Sequence, residues 1–155
     1  MNPDIKRLDT SVLAVGDKLP VLQVDISAQK IIAAAAATRD WQPLHHDYAF
    51  ATQKAGTPDI IMNSPTQAGW ISKYLTDWAG PLARVQRMSF KMKDAICPGS
   101  ALCFEGVISR VEDRVDEGLA LEVEVLLTVA GDFKTKARVL MMLPNEQLQN
   151  PWSGL

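Results

Sequence analysis

The sequence predicts an α+β domain, with a helical first half and an all-strand second half. Two patterns carry that class. Apolar residues between Ala28 and Trp78 recur at helical spacing between capping residues, and from Arg84 onward they alternate with polar ones at period two. The composition agrees: 155 residues, 47% hydrophobic and 22% charged, suffice for one domain to bury its own core.

The elements follow in order. Val21 to Asp25 reads as an opening strand, and Ser27 as the N-cap of an Ala-rich helix from Ala28 to Thr38, Ala being the best helix former. A short second helix is expected after His46, capped by Asp47 and ending near Gly56. The third helix has the clearest signals: Ser64 as N-cap, Pro65 at the first helical position, Ala68, Ile71, Leu75 and Trp78 on one face, and Gly80-Pro81 as the stop. Gly69 in its interior costs about 1 kcal/mol relative to Ala and suggests a close approach by a neighbour. Trp70, Tyr74 and Trp78 read as core or interface residues.

Four strands complete the chain. Met88, Phe90 and Met92 alternate with Arg87, Ser89, Lys91 and Lys93, which with Arg84 read as a solvated face. Leu102, Phe104 and Ile108 follow, with Gly106 expected as a bulge or bend. Leu119 to Val129 is the longest alternating run. A Gly131-Asp132 turn then leads into Phe133, Thr135, Ala137, Val139 and Met141. A sheet of this kind wrapped round a long helix leaves an edge that a dimer could continue. One domain is expected over residues 1–155, its core running from about Leu19 to Leu143, with a loosely packed polar tail from Pro144 to Leu155.

A net charge of −2 lacks the broad basic footprint of a nucleic-acid binder. The first seven residues hold no apolar core of signal-peptide length, and the longest apolar stretch, Ile31 to Ala37, is too short to span a bilayer. A cytoplasmic protein without a membrane partner is expected. Cys97 and Cys103 lack metal-ligand spacing and read as free thiols, small apolar residues on a strand.

The densest polar constellation is Arg39-Asp40-Trp41-Gln42-Pro43-Leu44-His45-His46-Asp47, which contains both histidines of the chain. Pro43 is expected to keep this run non-helical, so that a carboxylate and an imidazole five residues apart can converge on one water. Imidazole gives and takes protons near neutrality, and an ionised Asp can orient it. On spacing alone, a solvated loop with a capping Asp and an incidental His is the better reading. His46 and Asp47 read as a flanking residue and a helix cap. A metal site is not expected, because adjacent histidines in an extended run point apart and nothing completes a shell.

Asp40-Trp41-Gln42-Pro43-Leu44-His45 resembles the Asp-x-Asn-Pro-Leu-His signature of the MaoC-like, R-specific enoyl-CoA hydratases, which are hot-dog-fold proteins. The likeness extends over most of the chain from Val21 to Leu143. Ala37-Thr38-Arg39-Asp40, His45-His46-Asp47 and Thr76-Asp77-Trp78-Ala79-Gly80-Pro81 are most similar to the small MaoC subunit of bacterial steroid side-chain hydratases. The resemblance implies a single hot-dog domain that hydrates a trans-2-enoyl-CoA, with Asp40 and His45 catalytic. It implies a backbone N–H at the central-helix start, that of Ser64, for the thioester carbonyl, with Asn63 and Gln42 as further substrate contacts. It implies no cofactor beyond the coenzyme A of the substrate, and a homodimer or a heteromer with a second MaoC-like chain. Gln42 stands where the family has Asn, Arg39 where Gly is common, and Asn63-Ser64 where His-Gly is usual. Two other functions fit the same fold: an acyl-CoA thioesterase, or a non-catalytic assembly subunit of a heteromeric hydratase.

Overall fold

The computed structural model describes residues 8–114, 118–145 and 150. Residues 1–7 and most of the predicted polar tail lie outside them. The elements are β1 (Leu22–Asp25), α1 (Ala28–Ala37), α2 (Tyr48–Gln53), α3 (Ser64–Ala79), β2 (Arg84–Met92), β3 (Ala101–Arg114), β4 (Gly118–Val129) and β5 (Asp132–Leu143). Single 3-10 turns occupy Thr10–Val12 and Pro43–His45. The strands form one antiparallel sheet in the order β1-β3-β4-β5-β2. This is the predicted class, an antiparallel sheet with one long helix against it.

The alternation in β4 decides which sheet face the helix covers. Leu121, Val123, Val125 and Leu127 are fully buried and join Ile71, Leu75 and Tyr74 of α3 in one cluster. Burying a side chain of this size contributes about 1.5–3 kcal/mol. Phe104 of β3 sits at the centre, its ring centroid 5.7 Å from Tyr74 and 6.4 Å from Trp70. The Tyr74 hydroxyl donates to the Pro20 carbonyl at 3.0 Å, so its polar tip is satisfied inside the core. Met88 and Phe90 pack against the core as their alternation predicts, whereas Met92 at the strand end is exposed.

Local chemistry explains most boundaries. Ser27 caps α1 by accepting from the Lys30 N–H, and Asp47 caps α2 by accepting from that of Phe50. Gly80, at φ +89°, ends α3. Three expectations about α3 and Gly106 need correction. The N-cap of α3 is Asn63, not Ser64: its side chain accepts from the Thr66 N–H, which puts Ser64 at the first helical position and Pro65 at the second. Gly69 has open space where a Cβ would stand, so no close approach within the described chain explains it. Gly106 is no bulge; it pairs regularly with Val125, and the register shift lies between Ile108 and Arg110. What Gly106 supplies is room, since a Cβ there would stand 2.9 Å from Leu19 Cδ2 and 3.1 Å from the Tyr74 hydroxyl.

Residues ahead of β1 extend the sheet edge, which no sequence pattern announced. Gly16 N–H donates to the Ile108 carbonyl, Ile108 N–H to that of Asp17, and Leu19 N–H to that of Gly106, each at 2.9 Å. Asn145 is pinned by its amide to Asp113 at 2.8 Å and to the Arg114 carbonyl. Cys103 lies on β3, but Cys97 sits in the loop before it; both are free thiols. Among the described residues, no helix is long and apolar enough to cross a membrane.

The β4–β5 hairpin turns on Ala130 and Gly131, at φ +51° and +85°, one residue earlier than predicted. An L-residue with a Cβ is strained there, and Asn tolerates that conformation better. Ala130→Asn is expected to stabilise the fold by roughly 0.5–1 kcal/mol, read from the urea midpoint. An unchanged or lower midpoint would mean the turn carries no such strain.

Candidate active site

The site is assembled where α1 ends and α3 begins. At the end of α1 the Thr38 N–H reaches the Ala34 carbonyl, and Arg39 turns into the left-handed region at φ +54°. The Asp40 N–H then reaches back to the Ala35 carbonyl at 2.9 Å. This reversal, usually made by glycine, swings the Asp40 side chain toward the start of α3. Pro43 does not keep the next segment non-helical, as expected, but opens a 3-10 turn over Pro43–His45, where its missing N–H costs nothing. The turn places His45 beside Asp40, with Nε2 and Oδ2 3.3 Å apart.

His45 is held at one ring nitrogen and presents the other to Asp40. It is 7% exposed, and its Nδ1 lies 2.7 Å from the Ile61 carbonyl oxygen. A carbonyl can only accept, so Nδ1 carries the proton and donates it. Nε2 is therefore the atom that faces Asp40 and is left for proton exchange. Backbone bonds fix that arrangement: Ile61 N–H donates to the Leu44 carbonyl at 3.2 Å, and Met62 N–H to that of Ile96 at 2.9 Å.

Asp40 remains the anion of the pair. The Asn63 amide donates to Asp40 Oδ2 at 3.0 Å and is the main reason its carboxyl is held below the usual carboxylate range. Partial burial opposes this, while the Gln42 N–H and His45 add smaller lowering contributions. Asp40 is ionised at neutral pH and protonates only as the pH falls below the ordinary carboxylate value.

The start of α3 offers one backbone donor. Pro65 has no N–H, Thr66 gives its own to the Asn63 side chain, and Gln67 closes the first turn onto the Asn63 carbonyl. Among the described residues nothing accepts from the Ser64 N–H, which stands at the positive end of a 16-residue helix.

The structure thus brings Asp40, His45 and Asn63 into one cluster, with Ser64 next in the chain. Gln42 is exposed; its N–H makes a 3.4 Å contact with Asp40 Oδ1 and its carbonyl accepts from the His45 N–H. His46 is an exposed flanking residue whose Nε2 lies 3.4 Å from the Trp41 carbonyl. Two participants escaped the sequence reading: Thr38, whose Oγ1 lies 2.9 Å from Asn63 Nδ2, and the Ile61 carbonyl. A main-chain acceptor leaves no trace in residue type, and a Thr at a helix end reads as an ordinary terminus.

A five-stranded antiparallel sheet on one long helix, with an Asp–His pair at the start of that helix, places the chain among the hot-dog-fold proteins. The chain belongs to the MaoC-like domain family, whose model matches residues 13–130. It is 34% identical over 128 residues to the 3-oxo-4,17-pregnadiene-20-carboxyl-CoA hydratase beta subunit of Mycobacterium tuberculosis, covering 83% of this chain and 95% of that one. Among solved structures it is similar to a chain of the ChsH1–ChsH2 complex from Mycobacterium tuberculosis, with TM-score 0.76 and 29% identity over 83% of this chain and 97% of that one. The (R)-hydratase from A. caviae involved in PHA biosynthesis shares the fold, with TM-score 0.75 and 24% identity over 86% of this chain and 98% of that one.

Proposed function

We propose that this chain adds water across the α,β double bond of a trans-2-enoyl-CoA thioester, or removes it in the reverse direction. The observation that carries this reading is the Asp40–His45 contact at 3.3 Å, with the Nε2 side of the imidazole turned toward the carboxylate. Such a pair can bind a water beside it, within reach of both an anion and a proton-exchanging nitrogen. The water oxygen bonds to the β-carbon as one of its protons passes to the Asp40–His45 pair, the π electrons of the double bond move through the α-carbon onto the thioester oxygen, and the pair returns a proton to the α-carbon from the same face. The Ser64 N–H is the donor we assign to the developing enolate oxygen, where a fixed dipole is worth most. The mechanism draws on no cofactor beyond the coenzyme A of the substrate.

The substrate we assign is a bulky, steroid-like acyl group, from the similarity to the M. tuberculosis beta subunit whose name specifies one. The ChsH1–ChsH2 structure is that of a complex, and we assign this chain likewise to a heteromer with a second MaoC-like chain.

The test uses purified protein, alone and with a co-expressed MaoC-like partner, given steroid-type and short-chain enoyl-CoAs. Loss of enoyl absorbance without thiol release supports hydration. Thiol release in its place makes the chain a thioesterase. Full activity of a complex carrying Asp40→Asn and His45→Ala in this chain alone makes it an assembly subunit. A homodimer active on short enoyl-CoAs overturns the substrate and the partner together.

A further inference from the structure

We infer that Asn63 is the positioning residue of this site, a three-way clamp that joins α3 to Thr38 and to the Asp40 carboxylate. Every polar atom of its amide is engaged. Oδ1 accepts from the Thr66 N–H at 3.1 Å, while Nδ2 donates to Asp40 Oδ2 at 3.0 Å and to Thr38 Oγ1 at 2.9 Å. The assignment of oxygen and nitrogen is forced, because the Thr66 N–H can only donate and an ionised carboxylate can only accept. Thr38 is constrained as well. Its single hydroxyl proton goes to the Ala34 carbonyl at 2.9 Å, or that of Ala35 at 3.1 Å, so toward Asn63 it accepts.

The clamp is buried. Asn63 is 3% exposed, and its two contacts on the α1 side span 25 and 23 residues of sequence. One side chain thereby ties the end of α1, the start of α3 and one oxygen of Asp40 into a single geometry. It also spends both N–H donors of the Asn63 amide inside the protein, leaving only the second lone pair of Oδ1. Aspartate would cap the helix equally well but would set a second negative charge against Asp40. Serine would cap it and fall short of Asp40. Asparagine is the residue that both caps and donates.

Asn63→Ser separates these roles, since it keeps a good helix cap and removes the donor to Asp40. Two readouts are needed, because the kinetic consequence rests on the hydratase reading. The first is the 13C titration of the Asp40 carboxyl, assigned by its loss in Asp40→Asn, which requires no activity. Its pKa is expected to rise in Asn63→Ser with the melting temperature within a few degrees of wild type. An unmoved pKa overturns the clamp. The second is the pH profile of enoyl-CoA hydration: kcat is expected to fall about 10–100-fold with KM changed little, and the acid limb to move to higher pH. An unchanged kcat and profile, alongside a shifted Asp40 pKa, overturns the role of Asn63 in catalysis. If Asp40→Asn also keeps full activity, the fault lies with the dyad and not with the clamp. Thr38→Val, which removes only the second anchor, is expected to show a smaller kcat loss in the same direction; a larger loss than Asn63→Ser overturns Asn63 as the central member.

Discussion

Asp40→Asn is expected to lower kcat for hydration by about 10²–10⁴-fold, with the fold intact. The substitution preserves shape but replaces an anion held by Asn63 with an amide. The Asn63 Nδ2, now 3.0 Å from Asp40 Oδ2, then faces a group with one acceptor oxygen and one competing donor. The water loses its anionic acceptor, and the imidazole of His45 loses the charge 3.3 Å from Nε2. His45→Ala is expected to cost as much, because the proton-exchanging atom is gone while Ile61 keeps an unused carbonyl. The two groups act on one water, so the double variant should fall no further than the worse single one. Initial rates at saturating substrate, with circular dichroism to check folding, decide the matter. Wild-type rates in both single variants would remove the dyad, and multiplicative losses in the double variant would mean the two act independently.

The largest expected stability effect is at Phe104. It is fully buried, lies on β3 against Trp70 and Tyr74 of α3, and is among the largest side chains excluded from water. Phe104→Ala removes that packing and leaves a cavity between sheet and helix, with an expected loss of about 3–5 kcal/mol. At roughly 2–4 °C per kcal/mol for a chain of this size, the melting temperature should fall by about 6–20 °C. Calorimetry or urea unfolding measures this directly, and Trp70 gives a local fluorescence signal. A loss below about 1 kcal/mol would mean that α3 and the sheet collapse to close the gap.

How much of this was legible in the sequence depended on whether the signal was periodic or geometric. The β4 alternation from Leu119 to Val129 identified the buried sheet face, since side-chain direction follows from strand geometry alone. Gly80-Pro81, Ser27 and Asp47 marked their helix boundaries for reasons intrinsic to their own backbones and side chains. At the start of α3, Asn63 and Ser64 are both good caps one residue apart; composition could not choose between them, and the choice moved Pro65 by one helical position. Gly69 and Gly106 look alike in sequence. The packing of Leu19 and Tyr74 against one of them, brought from distant segments, makes it the constrained position.

The site divides along the same line. Asp40 and His45 were visible because a carboxylate and the rare histidines stand together, and because their spacing resembles a known signature. The αL turn at Arg39 was not, since Arg carries no mark of positive φ. Nor was the link from Asn63 to Thr38, two residues 25 apart that meet only once α1 and α3 are docked. The internal hydrogen bonds of Asn63 could likewise be seen only in three dimensions.

The backbone lacing around His45 has a kinetic consequence. Leu44 and Ile61 are stitched by one main-chain hydrogen bond, Ile61 grips the imidazole by another, and Met62 is tied to Ile96 by a third. None of the three involves a substrate group, so the turn that carries His45 is set before any ligand arrives. Acyl-CoA capture should then follow a single exponential in stopped-flow mixing, with an observed rate that rises linearly with ligand concentration. The amide protons of Ile61 and Met62 should exchange with solvent as slowly as those of the core strands, on a timescale far longer than turnover. A slow second phase that saturates with ligand would instead show this turn locking into place only after the substrate has entered.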